Sequence, residues 1–246
     1  GVMVGIVFWD KGDVSSPFYT GGRVSSDANA VSALLFTFTL FCMMSNNQAI
    51  SYFYSRFVLY TREQEQYLGM CRRWRDVSKP TIAMVQGACI AGGLMLAWVC
   101  DLIVATDDAF FQDPVNRMGI PGVEYFAHAF ELPPRVAKEF LLLGERMTAQ
   151  RAEQFGMVNK IVTRDELRAT VAEMAAKLVA QPRLGNWLTK QAVNHVEELR
   201  GKRSAMDAVF HMHHFAHAQN DLVQGSAIAG MGAKEMAAAN KKQAGE

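Results

Sequence analysis

"GACIAGGLMLAWVCD", residues 87–101, is the stretch whose reading decides the fold. Three glycines separated by small residues give way to an apolar run that stops at Asp101. Bare backbone just before bulky apolar side chains fits a loop that must come close to something, followed by a buried helix over about residues 93–99. On one side, "KPTIAMVQG" (79–87) has Pro at its first position, a β-rich run and a closing glycine, which predicts a strand. On the other side, "DLIVAT" (101–106) predicts a second, short buried strand.

Further out, residues 2–9 predict a buried strand, ended by the turn-rich "DKGDVSSP", and "FYTGGRVSS" forms a second glycine loop. "TREQEQYLGMCRRWR" (61–75) predicts a helix, with Thr61 as its cap, acids near its start and arginines near its end. The order strand, glycine loop, helix, strand argues for an α/β fold. Beyond Thr163 the spacing becomes helical. Leu167, Val171, Met174, Ala175 and Leu178 share one face, as do Leu188, Ala192, His195, Val196 and Leu199. Residues 165–218 thus predict three helices, and the Gly/Ala/Lys-rich tail beyond Gly225 reads as mobile. The expected organisation is an α/β core over 1–163, with 23–52 atypical, and a helical region over 164–246.

Half of the 246 residues are hydrophobic and a fifth are charged, enough apolar content for a sizeable core. Lys+Arg number 25 against 24 Asp+Glu, so the overall charge gives no reason to expect nucleic acid or an anionic membrane as partner. The dense basic cluster "CRRWR" (71–75) reads as a solvated helix face. Cys42, Cys71, Cys89 and Cys100 form no C-x-x-C pair, which disfavours a disulfide framework or structural zinc and fits a reducing cytoplasm. "AVSALLFTFTLFCMM" (30–44) is uncharged but shorter than the ~18 residues of a membrane span, so a buried segment is preferred to a membrane anchor. The chain opens without Met on an apolar run, which reads as the interior of a domain and hence as an N-terminally truncated one.

The glycine loops have several possible uses. "GACIAGG" lacks the Gly-Lys-Ser/Thr ending of a phosphate-binding P-loop and the G-x-G-x-x-G order of a dinucleotide loop. A tight strand-to-helix turn explains it, and so does an oxyanion hole. Two backbone N–H groups, from "YTGG" (19–22) and "AGG" (91–93), could grip one carbonyl oxygen as it gains charge.

"KPTIAMVQGACIAGGLMLAWVCDLIVATDDAFFQDP" (79–114) and "GERMTAQRAEQFGMVNKIV" (144–162) resemble the crotonase superfamily of enoyl-CoA hydratases and isomerases. The likeness runs from about Val58 to about Asn220, is weak over 1–22 and is absent from 23 to about 51. It implies a crotonase-like spiral of strand-strand-helix repeats with a C-terminal helical trimerisation region, assembling as homotrimers or hexamers. It implies an acyl-CoA thioester as substrate, coenzyme A entering as part of that substrate, no other cofactor, and an enolate-like anion held by the N–H groups of Gly92 and Thr20. Gly21, Met95 and Val115 are then assigned to substrate binding.

The chain also departs from the pattern. Hydratases of the family use two glutamates to hold and deprotonate a water; those positions here are Met95 and Val115, neither of which moves a proton. The candidate proton carriers are Glu124, in a later loop where some members place their working acid, Asp113 and His128. Val123, Tyr125 and Phe126 would desolvate Glu124 and raise its pKa towards neutrality. Asp113 is equally explained as a turn residue before Pro114, and His128 as a core histidine. His211, His213, His214 and His217 share helical faces, but no H-E-x-x-H pattern accompanies them; no metal is assigned and subunit packing is preferred. The expected activity is an acyl-CoA lyase or isomerase with one acid as proton carrier. The alternatives are a catalytically silent acyl-CoA-binding or assembly protein and, more remotely, a membrane-anchored one.

Overall fold

The computed structural model describes residues 3–9, 19–20, 56–232, 234–236 and 238–239. The atypical segment 23–52, with its apolar run 30–44, and Gly21 lie outside the described residues.

The apolar strands find each other in parallel. Strand β1 (Met3–Trp9) pairs with β3 (Thr81–Ile90), Met3 opposite Thr81 and Trp9 opposite Gly87. The two-residue β2 (Tyr19–Thr20) flanks β1 antiparallel, with Thr20 opposite Met3. On its other side β3 pairs with β4 (Leu102–Thr106), and β4 with β7 (Lys160–Val162), both in parallel. Parallel sheets are covered on both faces. Here Ala83, Val85, Ile103 and Ala105 face the main core, while Ile82, Met84 and Val104 face a second core.

Strand β3 runs three residues past the expected end. Gly87 does not stop it; with φ +64° it turns it, and Ala88–Ile90 leave the first sheet to pair with β5 (Phe110–Gln112). β5 pairs antiparallel with β6 (Met147–Thr148). One strand therefore serves two sheets, which curls the layer around its own core.

The helix expected after the loop runs from Gly92 to Trp98 and buries Leu94, Met95, Ala97 and Trp98. The chain 56–75 is helical throughout: α1 (Arg56–Glu63), a π turn (Gln64–Gly69) and α2 (Met70–Arg75). Thr61 is not its cap. Its hydroxyl donates to Val58 O one turn back, an interior bond that sequence cannot tell from a capping one. With Gly92–Trp98 as α3, the remaining helices are α4 (His128–Glu131), α5 (Pro134–Leu143), α6 (Ala149–Gln154), α7 (Leu167–Ala180), α8 (Arg183–Leu199) and α9 (Lys202–Gln224).

The last three helices are fastened by charge as well as by apolar packing. Leu167 and Val171 of α7 close the second core, and Met206 and Phe210 of α9 enter the main one. Arg75 is not on a solvated face. It is 7% exposed and reaches Glu197 (2.6 Å) and Glu198 (2.9 Å) of α8, while Arg72 meets Asp207 of α9 (2.7 Å). Beyond Gly225 the described residues are docked: the Ala229 and Met231 N–H groups donate to Met118 O and Arg117 O, and Met236 is buried. Leu184, Leu188, Val193, Val196 and Leu199 of α8 and Phe215 and Leu222 of α9 nevertheless stand exposed. Among the described residues no helix is long and apolar enough to cross a membrane. Cys71, Cys89 and Cys100 are free thiols.

Ala91, the residue before α3, has φ +47° and ψ −106°, a conformation that a Cβ makes costly. Its N–H is held by Gln112 O (3.0 Å), and its carbonyl accepts from Met95 N–H (3.0 Å), so the neighbours impose the geometry. Ala91→Gly should raise the unfolding free energy measured in urea by about 1 kcal/mol after the flexibility cost of glycine. Ala91→Val should lower it by more than that.

Candidate functional site

The site is assembled from the short run Gln112–Asp113–Pro114, which leaves β5 into the interior. Gln112 is fully buried; its side-chain amide donates to Gly144 O (2.7 Å). Asp113, also fully buried, uses both carboxylate oxygens. Oδ1 accepts from Val115 N–H (3.3 Å) and Oδ2 from Val123 N–H (3.0 Å). His128 Nε2 lies 2.9 Å from the same Oδ2. The His128 ring is enclosed by Trp98, Phe126 and Phe140, with centroid separations of 4.7, 4.5 and 6.0 Å.

Met95 completes the frame. Its Sδ accepts from Tyr125 N–H at 3.3 Å. The backbone on both sides of Glu124 is thereby held, at Val123 by Asp113 and at Tyr125 by Met95. A third tie comes from α9, where His213 Nδ1 donates to Gly122 O (2.9 Å). Val123 and Tyr125 are buried, and Glu124 between them keeps some open surface.

Burial pushes the Glu124 carboxyl up to about 7; the Asp113 charge adds to the rise, while its own backbone N–H and His217 oppose it. Glu63, on α1, is raised well above the usual carboxylate range by burial and then by the Glu124 charge. Tyr67 and Cys71, also on that helical stretch, are pushed up by burial first and then by Glu124. The Glu124 charge is thus felt at Glu63, Tyr67 and Cys71, and Glu124 in turn feels His217 and Asp113.

Of the residues singled out from sequence, Met95, Asp113, Glu124 and His128 come together, with Val115 half-buried beside Asp113. Met95 is buried and its sulfur is engaged with the loop. Gly92 opens α3 and is buried; an amide in the first turn of a helix has no partner within it. Thr20 sits in β2 opposite Met3.

Sequence reasoning passed over Glu63. It lies in "TREQEQY", which reads as a solvated face, yet it is 5% exposed. Its position three residues after Tyr60 and four before Tyr67 is the signal that would have found it, since residues at that spacing share a helix face. Glu63, His213 and His217 each offer one ligand atom within 4.8 Å of the others, a grouping that could hold a metal ion. Burial keeps the histidines neutral: His213 is pushed down, and His217 and His214 down to about 4 and about 3, with neighbouring histidines adding to the effect in the last two.

Residues 49–235 match the family model described as Enoyl-CoA hydratase/isomerase. A Mycobacterium tuberculosis protein that carries the name enoyl-CoA hydratase EchA13 is 41% identical over 168 residues, 68% of this chain and 53% of that protein. The chain spans little more than half the length of that relative and of a probable mitochondrial enoyl-CoA hydratase from Dictyostelium discoideum. Among solved structures, a probable enoyl-CoA hydratase from Mycobacterium smegmatis superposes with a TM-score of 0.70 at 45% identity, covering 72% of each chain. A probable enoyl-CoA hydratase from Mycobacterium thermoresistibile does so with a TM-score of 0.70 at 43% identity, again covering 72% of each chain.

A carboxyl raised by the fold costs stability once it ionises. Between its ordinary pKa of 4.5 and about 7, Glu124 keeps its proton when folded and loses it when unfolded, so stability falls as pH rises through that window. Glu124→Gln removes this dependence. Its unfolding free energy should match the parent at pH 4.5 and exceed it by the order of 2–3 kcal/mol at pH 8 in urea titrations.

Proposed function

The chain belongs to the enoyl-CoA hydratase/isomerase family, and from that premise we propose that it acts on an acyl-CoA thioester through an enolate-like anion, with Glu124 as its single proton carrier. The observation that carries this reading is the suspension of Glu124 between two tethered backbone amides, with its carboxyl pushed up to about 7. Moving a proton to or from a carbon beside a thioester needs a positioned acid or base whose pKa lies near the working pH. Glu124 meets both requirements. The family likeness supports the rest: the thioester oxygen would be received by the Gly92 amide, whereas Thr20, opposite Met3 beside the Thr81 end of β3, stands at the other end of that strand from Gly92. Such a donor is typically worth ~2.7–4 kcal/mol in the transition state.

Asp113 and His128 serve here as positioning residues, since both are sealed from solvent and Asp113 holds the Glu124 loop directly. Met95 and Val115 occupy the two positions where the resemblance implies hydratase glutamates, so a water held between two carboxylates is not the reaction of this site. One carboxyl suits a step in which the proton leaves one carbon and returns to another, an isomerase-type shift, or a lyase step whose second proton comes from water. Coenzyme A enters as part of the substrate. Free, buried thiols at Cys71 and Cys89 suit a reducing, cytoplasmic setting. The second reading, a silent member that binds acyl-CoA without turning it over, draws on Met95 and Val115 alone.

Glu124→Gln should lower kcat on 2-enoyl- or 3-enoyl-CoA thioesters by ~10²–10⁴-fold, while the calorimetric Kd for a non-reactive acyl-CoA analogue stays within a few-fold. Full turnover by this variant would overturn the assignment. Absence of turnover in the parent, with binding intact, would establish the silent reading.

The exposed apolar side chains of α8 and α9 suit burial against further copies of the chain. Light scattering at micromolar concentration should give the mass of three chains or a multiple of three; a monomer would contradict this.

A further inference from the structure

We propose that Glu63, His213 and His217 hold a divalent first-row transition-metal ion, zinc in the first instance, between α1 and α9 beside the loop that carries Glu124. The proposal rests on no reading of the reaction.

Tautomers carry the first part of the argument. His213 Nδ1 lies 2.9 Å from Gly122 O, and His217 Nδ1 lies 2.7 Å from Ala227 O. A carbonyl oxygen only accepts, so both Nδ1 atoms carry the hydrogen. In each neutral ring the lone pair is then on Nε2. These two Nε2 atoms face each other at 3.0 Å. Two lone pairs at that distance repel unless something positive lies between them.

The third corner is a carboxyl, which supplies a negative charge once a bound cation displaces its proton. Glu63 Oε2 is 3.7 Å from His213 Nε2, and the three residues each offer a ligand atom within 4.8 Å of the others. Glu63 Oε2 is buried and, among the described residues, accepts no hydrogen bond. His214 Nε2, 3.3 Å away on the side of α9 next to His213, can orient the carboxylate. Zinc–nitrogen and zinc–oxygen bonds are about 2.0–2.2 Å, so ligand atoms at tetrahedral angles lie roughly 3.3–3.5 Å apart. The two edges at His213 Nε2, 3.0 and 3.7 Å, bracket that value. Two histidines and a carboxylate are an established donor set for zinc and for ferrous iron.

The supporting shell is also of the kind that metal-binding histidines use. Each donates its second nitrogen to a backbone carbonyl, which fixes the ring and raises its basicity as a ligand. One of those carbonyls belongs to Gly122, two residues before Glu124. An ion here would therefore brace the Glu124 loop from α9 while tying α9 to α1. His213 and His217 lie one turn apart on a single helix face, and His217 and His214 are only half-buried, which leaves a way in.

The test uses the full chain, stripped with chelator and titrated with Zn²⁺ in calorimetry, and with Co²⁺ in visible absorption. One equivalent of zinc per chain, a tetrahedral cobalt spectrum and a rise of roughly 5–10 °C in Tm at about a hundredfold excess over Kd are expected. Glu63→Gln and His217→Ala should each weaken zinc binding by at least tenfold, with circular dichroism of the metal-free variants unchanged. His195→Ala and His211→Ala should leave it as in the parent. No binding below millimolar zinc would overturn the proposal and leave the two rings sharing a proton. Binding undiminished in Glu63→Gln and His217→Ala would overturn it as well, by placing the ion elsewhere.

Discussion

The Asp113 carboxylate is the interaction on which the site depends. It is sealed from solvent and accepts from two backbone N–H groups, with the edge of the His128 ring 2.9 Å away. A buried carboxylate without partners would be costly, and the partners without it would each be left with an unmet donor of ~1–3 kcal/mol. That mutual need makes the loop 122–125 a fixed object. The neighbouring Met95 adds a weaker tie through its sulfur. A residue that cannot move a proton thus contributes by holding the one that can.

A second carboxylate, partly open to solvent, does for the whole chain what Asp113 does for the site. Asp101 Oδ2 accepts from Thr81 N–H (2.7 Å), from the Thr81 hydroxyl (2.9 Å) and from Lys190 Nζ (2.8 Å). Lys190 is 7% exposed, so its charge depends on that partner. The start of β3, the end of the α3 crossover and the middle of α8 meet at this one side chain. With the Arg75–Glu197–Lys202 cluster, it fixes the helical region to the α/β core.

The fold was largely legible because its signals are local. The glycine loop, the apolar run and the two flanking strands follow from residue type and period, and the resemblance carried by 79–114 and 144–162 placed them in a known architecture. Misreadings arose where a residue has two uses. Gly87 reads as a strand end, but its positive φ permits a bend instead. Arg75 reads as solvated because sequence does not show α8 arriving with Glu197 and Glu198. In the site, Glu124, Asp113 and His128 could be named from sequence, but not that Asp113 and Met95 grip the amides on either side of Glu124. Backbone hydrogen bonds of that kind leave no trace in composition or spacing. Glu63 was hidden for the opposite reason: its polar neighbours are ordinary, and burial was set by a helix 150 residues further on.

Strand β3 answers to two sheets at once, with Ala83 and Val85 on one face, Ile82 and Met84 on the other, and Cys89 beyond the bend facing Phe111. A shift of one residue would send each side chain to the wrong face in the first sheet and break the pairing with β5 in the second. Substitution along β3 can be absorbed by repacking, but a change in its length cannot. Divergence among chains of this architecture should therefore leave the residue count from Thr81 to Ile90 fixed while its side chains vary, and insertions and deletions should fall on the connections outside it.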